Sequence, residues 1–173
     1  MTKDEFEQWA LSQIAKLDFS DHVYFGWSNW KSVAGMATRT YRRGEGTVYL
    51  ITISEFYLDT FRDIESIKDT LLHELAHAMA NYHNSIPMSS HGREWKFYAT
   101  VLGAKPQRCF HANNKNLDLS KFKYTAYCPN PDCDTSYGFS RMGKLWRYNL
   151  ENDPTDGYEC ALCNLHMHVR KNF

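Results

Sequence analysis

The stretch T70-L-L-H-E-L-A-H-A-M-A-N-Y-H83 sets three histidines and one glutamate into a run of strong helix formers. Leu71, Leu72, Leu75, Ala76 and Ala78 make it apolar almost all round, the pattern of a buried helix. A buried helix does not carry unpaired ionisable groups without a reason. His73 and His77 are four residues apart, so they lie one turn apart on the same face. Two imidazoles so placed can meet one Zn2+ at about 2.0–2.1 Å each. Glu74 follows directly, rotated toward the open coordination position. There it can take a proton from metal-activated water and pass it to a leaving amine. H-E-x-x-H on a helix is the sequence form of this arrangement.

Two histidines do not complete a zinc site. His83 stands six residues after His77, the spacing of H-E-x-x-H-x-x-G-x-x-H. That pattern needs a glycine for the helix to end and turn back, and Ala80 occupies its place. If the helix continues, His83 points away from the His73/His77 face. His91 opens H91-G-R-E-W95, where a loop hands over to a further helix, and has Gly92 beside it. His91 is therefore preferred as third ligand, with Glu94 in reserve and His83 behind both.

Outward from this helix, residues 3–17 place Phe6, Trp9, Ala10, Ile14 and Leu17 on one helical stripe. Residues 22–31 suggest a strand and a loop, and residues 34–54 read as two strands around the G44-E-G46 turn. Ser54 is placed to cap a short helix over residues 55–60, and the histidine helix is expected from about Asp63 to Tyr82. Pro87 blocks its continuation, and another helix spans about Gly92 to Leu102, stopping at Gly103. Composition changes after about residue 105, and from Lys121 onward short strands alternate with turns.

That tail holds C128-P-N-P-D-C133 and C160-A-L-C163. Two thiolate pairs on two turns close a tetrahedral zinc site with bonds of about 2.3 Å and stabilise a module too small for its own core. The four-residue gap of the first pair is at the wide end for this chemistry. His166 and His168 are minor alternatives to one thiolate, His22 and His111 read as ordinary histidines, and Cys109 as a small buried apolar residue.

Composition narrows the partners. Apolar residues make up 43% of the 173, enough for a core, and twenty basic residues cancel twenty acidic ones. A strongly cationic nucleic-acid binder is excluded, so DNA contact requires a local patch. Lys144, Trp146, Arg147 and Tyr148 interleave cations with rings that stack on unpaired bases, and R39-T-Y-R-R43 is a second candidate. No stretch reaches the roughly 20 apolar residues of a membrane span, and the acidic N-terminus lacks a secretory run. A cytoplasmic, nucleoid or nuclear monomer is expected, neither secreted nor membrane-bound.

H73-E-L-A-H-A, then H91-G-R-E-W and L102-G-A, closely resembles the SprT-like zinc metallopeptidases. S28-N-W-K-S-V-A-G-M-A, V48-Y-L-I-T-I-S54 and the cysteine-rich tail extend the resemblance over most of the chain from about residue 20. It implies His73, His77 and His91 as ligands of a catalytic zinc and Glu74 as general base. A second, structural zinc would sit on Cys128, Cys133, Cys160 and Cys163. The implied fold is α+β: a helical zincin-like core with a small antiparallel sheet over residues 1–110, then a small β-rich zinc ribbon over 111–173. The implied activity is zinc-dependent cleavage of proteins, including proteins on or crosslinked to DNA, with DNA bound weakly or as single strands. Tyr82, Tyr98 or Arg93 would supply an oxyanion donor. A catalytically silent, zinc-stabilised DNA-associated regulator and a zinc hydrolase of other substrates are the alternative readings.

Overall fold

The computed structural model describes residues 1–60, 64–106, 118–141, 159–160 and 162–173. The chain is α+β and divides into two compact units, Met1–Phe110 and His111–Phe173. No helix among the described residues is long and apolar enough to cross a membrane.

The first unit begins with α1 (Lys3–Ile14), started by a capping box. The Thr2 hydroxyl accepts from the Glu5 N–H, and the Glu5 carboxylate accepts from the Thr2 N–H, satisfying two otherwise unpaired donors. Phe6, Ala10 and Ile14 form its buried stripe, and Phe6 is wedged among Trp9, Phe25 and Trp27. Three strands follow: β1 (Val23–Ser28), β2 (Gly35–Arg42) and β3 (Gly46–Ser54). β2 and β3 form the hairpin, turned at Gly44 and Gly46 with φ of 91° and 84°.

The sheet order is β1-β3-β2, and β1 runs parallel to β3, so the sheet is mixed and not antiparallel as the sequence led us to expect. Side-chain alternation has period two in either direction, so residue pattern does not report strand polarity. Polarity follows from the crossing through residues 29–34, which carries the chain from the end of β1 past the end of β3. Ser54 fastens that crossing: its N–H donates to the Ala34 carbonyl at 2.8 Å and its hydroxyl to the Trp30 carbonyl at 2.6 Å. Ser54 thus closes β3 and ties down the crossing, with the short helix α2 (Glu55–Thr60) beginning at the next residue.

The long helix α3 (Ile64–Asn84) lies on the sheet with Ile67, Leu71 and Leu75 fully buried. The expected start at Asp63 lies outside the described residues, and the helix runs two residues past Tyr82. Ala76 and Ala80 admit α4 (Arg93–Leu102), whose Trp95 and Ala99 join them with Ala104 in one buried cluster. Gly103, at φ 80°, ends α4 with paired bonds from its own N–H to Thr100 and from Ala104 to Ala99.

The second unit is a three-stranded antiparallel sheet in the order β5-β4-β6, made of β4 (Tyr124–Tyr127), β5 (Ser136–Phe139) and β6 (His168–Lys171). Among its described residues Phe122, Thr125, Ala126, Cys128, Cys160 and Met167 are buried.

At one position the β2–α3 contact leaves no room for a side chain. A Cβ on Gly35 would stand 2.8 Å from the Thr70 methyl, 3.0 Å from Ile53 Cδ1 and 3.1 Å from Glu74 Cγ. Gly35→Ala is expected to push β2 off α3 and lower stability by about 1–3 kcal/mol, measured by urea unfolding.

Candidate metal centres

Helix geometry brings His73 and His77 together on α3, with their Nε2 atoms 3.3 Å apart. The loop between α3 and α4 delivers His91, whose Nε2 lies 3.1 Å from that of His73 and 3.2 Å from that of His77. A tetrahedral zinc with bonds of about 2.0–2.1 Å separates its nitrogen ligands by about 3.3 Å. The triangle of nitrogens therefore has the size of one face of a zinc tetrahedron. Three imidazole nitrogens facing one another cannot all satisfy each other by hydrogen bonding, because a neutral ring offers one donor and one acceptor. A shared cation resolves that conflict.

Protonation favours the same outcome. Burial, followed by the nearby His91, pushes His73 down to about 4. Burial and the two neighbouring imidazoles push His77 down to about 3, against a backbone hydrogen bond at Ser90. Both rings are neutral at pH 7, the state a metal requires of them.

The setting includes three features that sequence reading did not identify. Trp95 is fully buried beneath the site, its ring 4.6 Å from those of His73 and His91 and 5.4 Å from that of His77. Its indole N–H donates to the His73 carbonyl at 3.3 Å. Asn81 is buried between sheet and loop, accepting from the Tyr49 hydroxyl at 2.8 Å and donating to the Ile86 carbonyl at 2.7 Å. That bond pins the segment leading to His91, as does the Ser85 N–H to the Asn81 carbonyl, with Ser85 at φ 54°. Third, the Ala37 N–H of β2 donates to Glu74 Oε2 at 2.8 Å. Trp95 stood in the sequence as the end of H91-G-R-E-W95 and Asn81 as an amide inside an apolar helix, while the Ala37 N–H left no trace.

Glu74 sits partly buried between the histidines and β2, and burial pushes its carboxyl up to about 7, against the Ala37 bond. His83 goes elsewhere: its ring lies 3.4 Å from Asp18 and stacks on Tyr98 at 5.5 Å. Glu94, in the first turn of α4, is not among the three converging groups. Of the oxyanion candidates, Tyr82 stacks on Phe19 and Tyr98 on His83, and neither ring touches the three imidazoles among the described residues. Arg93 is exposed at the start of α4.

In the second unit Cys128, Cys133, Cys160 and Cys163 point their sulfurs at one centre, all within 4.8 Å of one another. Cys133 and Cys160 are 3.6 Å apart, against about 3.8 Å for two sulfurs on a tetrahedral zinc. The wide first gap closes because Asn130 folds the turn back, accepting from the Asp132 N–H on its side chain and from the Cys133 N–H on its carbonyl. Asn164, at φ 55°, turns the second pair by bonding back to the Cys160 carbonyl. A hydrogen bond from the Thr135 side chain holds the Cys160 thiol down to about 6, while burial pushes Cys128 up to about 12. His166 and His168 stand outside this group. Cys109, His111 and the nucleic-acid candidates Lys144, Trp146, Arg147 and Tyr148 lie outside the described residues.

A family model described as the SprT-like family matches residues 4–116, which take in α1 from Asp4 onward, α2 to α4, and His73, His77 and His91. No curated protein matches the chain.

Two measurements test these centres. Loss of a group that orients a metal ligand typically costs about 10–100-fold in metal affinity, so Asn81→Ala, which releases the segment leading to His91, is expected to weaken zinc binding at the histidines by that factor in chelator competition. The other concerns the metal-free protein. Glu74 has a folded value above its unfolded one of 4.5, so its contribution is intact below 4.5 and is lost as pH rises through about 7. Metal-free Glu74→Gln should therefore match wild type in stability below pH 4.5 and exceed it by about 2–3 kcal/mol above pH 7, read by denaturant unfolding.

Proposed function

The chain belongs to the SprT-like family, and from that premise we propose that its first unit is a zinc-dependent endopeptidase. The observation that carries the reading is the triangle of imidazole nitrogens with a partly buried carboxylate beside it. His73, His77 and His91 would hold the ion in a zincin-like core. When bound, zinc supplies Lewis acidity, lowering the pKa of a water and polarising the scissile carbonyl.

The chain's own residues carry the proton and the geometry. Glu74 Oε2 is fixed by the Ala37 N–H, so Oε1 is free to face the attacking water. As a carboxylate Glu74 accepts that proton and can return it to the departing amine nitrogen. Trp95 and the α3 backbone keep the rings oriented, and the Asn81 bond keeps His91 within reach.

β2 gives the polypeptide a place to lie. Among the described residues it is an edge strand, and its Ala37 N–H donates to Glu74. In an antiparallel ladder the inward and outward groups alternate, so the N–H and C=O of Arg39 and Tyr41 also face the open edge. An extended substrate adds there as a further strand, its backbone passing Glu74.

In the second unit a zinc ion on the four cysteines would serve as the structural centre of a ribbon. By the family resemblance, substrates include proteins held on or crosslinked to DNA, with DNA bound weakly or as single strands. The enzyme acts as a monomer in the cytoplasm, at the nucleoid or in the nucleus.

Zinc content and cleavage of a DNA-bound protein, measured for wild type beside Glu74→Gln, test the reading. Two zincs per chain in both proteins are expected, with cleavage reduced by about 10²–10⁴-fold in the variant. Two zincs and equal results in both proteins would favour the silent DNA-associated regulator instead. One zinc would remove one of the two centres.

A further inference from the structure

Four alternate positions share the face of β2 that packs on α3: Gly35, which has no side chain, then Ala37, Arg39 and Tyr41. Gly35 marks this face by its contact with Thr70 and Glu74. Arg39 shares it, because its cross-strand partner Tyr49 reaches Asn81 on α3. The guanidinium also opposes the upward push of burial on the Tyr49 phenol, as a charge nearby must.

Arg39 is exposed and has no carboxylate partner among the described residues. Its neighbour Arg42, on the opposite face, is already engaged, 3.7 Å from Glu45 and stacked on Tyr24 at 4.2 Å. An arginine keeps its charge at any working pH and presents a fork matched to a carboxylate. It stands beside backbone groups open to an incoming strand, two residues from the one that holds Glu74. Two residues of strand span about 6.7 Å, the same interval as between alternate residues of a paired substrate.

We propose that Arg39 makes the cleft selective for acidic polypeptide segments. Its carboxylate partner is the substrate residue two positions N-terminal to the one lying against Glu74. The inference rests on the peptidase reading for its substrate, a protein chain in extended form. The direction follows from antiparallel pairing, the more stable mode, in which the substrate runs from Arg39 toward Ala37. Residues opposite one another on paired strands project to the same face, so the carboxylate meets the guanidinium on the α3 side.

The test uses the full chain loaded with zinc and peptides carrying Glu, Gln or Lys at each of three positions N-terminal to the cut. At one of these positions wild type should prefer Glu over Gln by about fivefold in kcat/KM, with Lys poorer still. Arg39→Glu should invert that order. The same peptides are titrated by fluorescence anisotropy against Glu74→Gln with and without Arg39→Glu, which reads the ranking without turnover. Raising the salt concentration should compress it. Cleavage with identical rankings in both backgrounds overturns the Arg39 assignment alone. Ranked binding with no cleavage by wild type supports that assignment and removes the peptidase reading. Unranked binding with no cleavage overturns both.

Discussion

Three imidazole nitrogens held about one hydrogen-bond length apart, with both α3 rings neutral, are the constraint around which the first unit is organised. Nothing intrinsic to three such groups favours this arrangement, since they cannot all donate to one another. The surrounding protein must impose it. α3 supplies two of the rings through its pitch, and the third arrives on a loop whose course is set by Asn81 and Ser85. Trp95, placed by α4, fills the space beneath all three and takes the His73 carbonyl as its partner. The close approach of α4 depends in turn on the alanines of α3.

The sheet contributes from the other side. The absence of a side chain at Gly35 lets β2 approach α3 closely enough for the Ala37 N–H to reach Glu74. One contact therefore does two jobs: it orients the carboxylate, and it lays an open strand edge beside the histidines. The position of Glu74 against β2 also accounts for its raised pKa, because burial outweighs the single backbone bond it receives. The second unit solves a different problem. Among its described residues the core gathers Ala126, Cys128, Cys160 and Met167, and the four converging sulfurs stand in that cluster, where a bound metal would add stability.

Much of this was legible in residues 1–106 because local rules decided it. The stripe of Phe6, Ala10 and Ile14, the G44-E-G46 turn and the stop at Gly103 are each matched by an element of the structure. The i, i+4 spacing of His73 and His77 needs only the pitch of a helix. The missing glycine at Ala80 likewise foretold that His83 would stay in the helix and point elsewhere. Long-range matters were not legible. Strand polarity was misread, because Val48, Ile51 and Ile53 read alike beside a parallel or an antiparallel neighbour. Asn81, Trp95 and the Ala37 N–H each bond to a partner distant in the chain, Tyr49, His73 and Glu74 at separations of 32, 22 and 37 residues.

The sequence alone thus determined which groups were available: two histidines and a glutamate on one helix, a third histidine after a breaker, and two cysteine pairs in a tail. These are statements about spacing along a regular backbone, which chemistry settles residue by residue. Tertiary structure decided which candidate completes the triangle, how β1 joins the sheet, and that Arg42 but not Arg39 has a carboxylate partner among the described residues. Those outcomes depend on packing between segments distant in the chain, where the space left at a glycine or by an alanine decides what can approach.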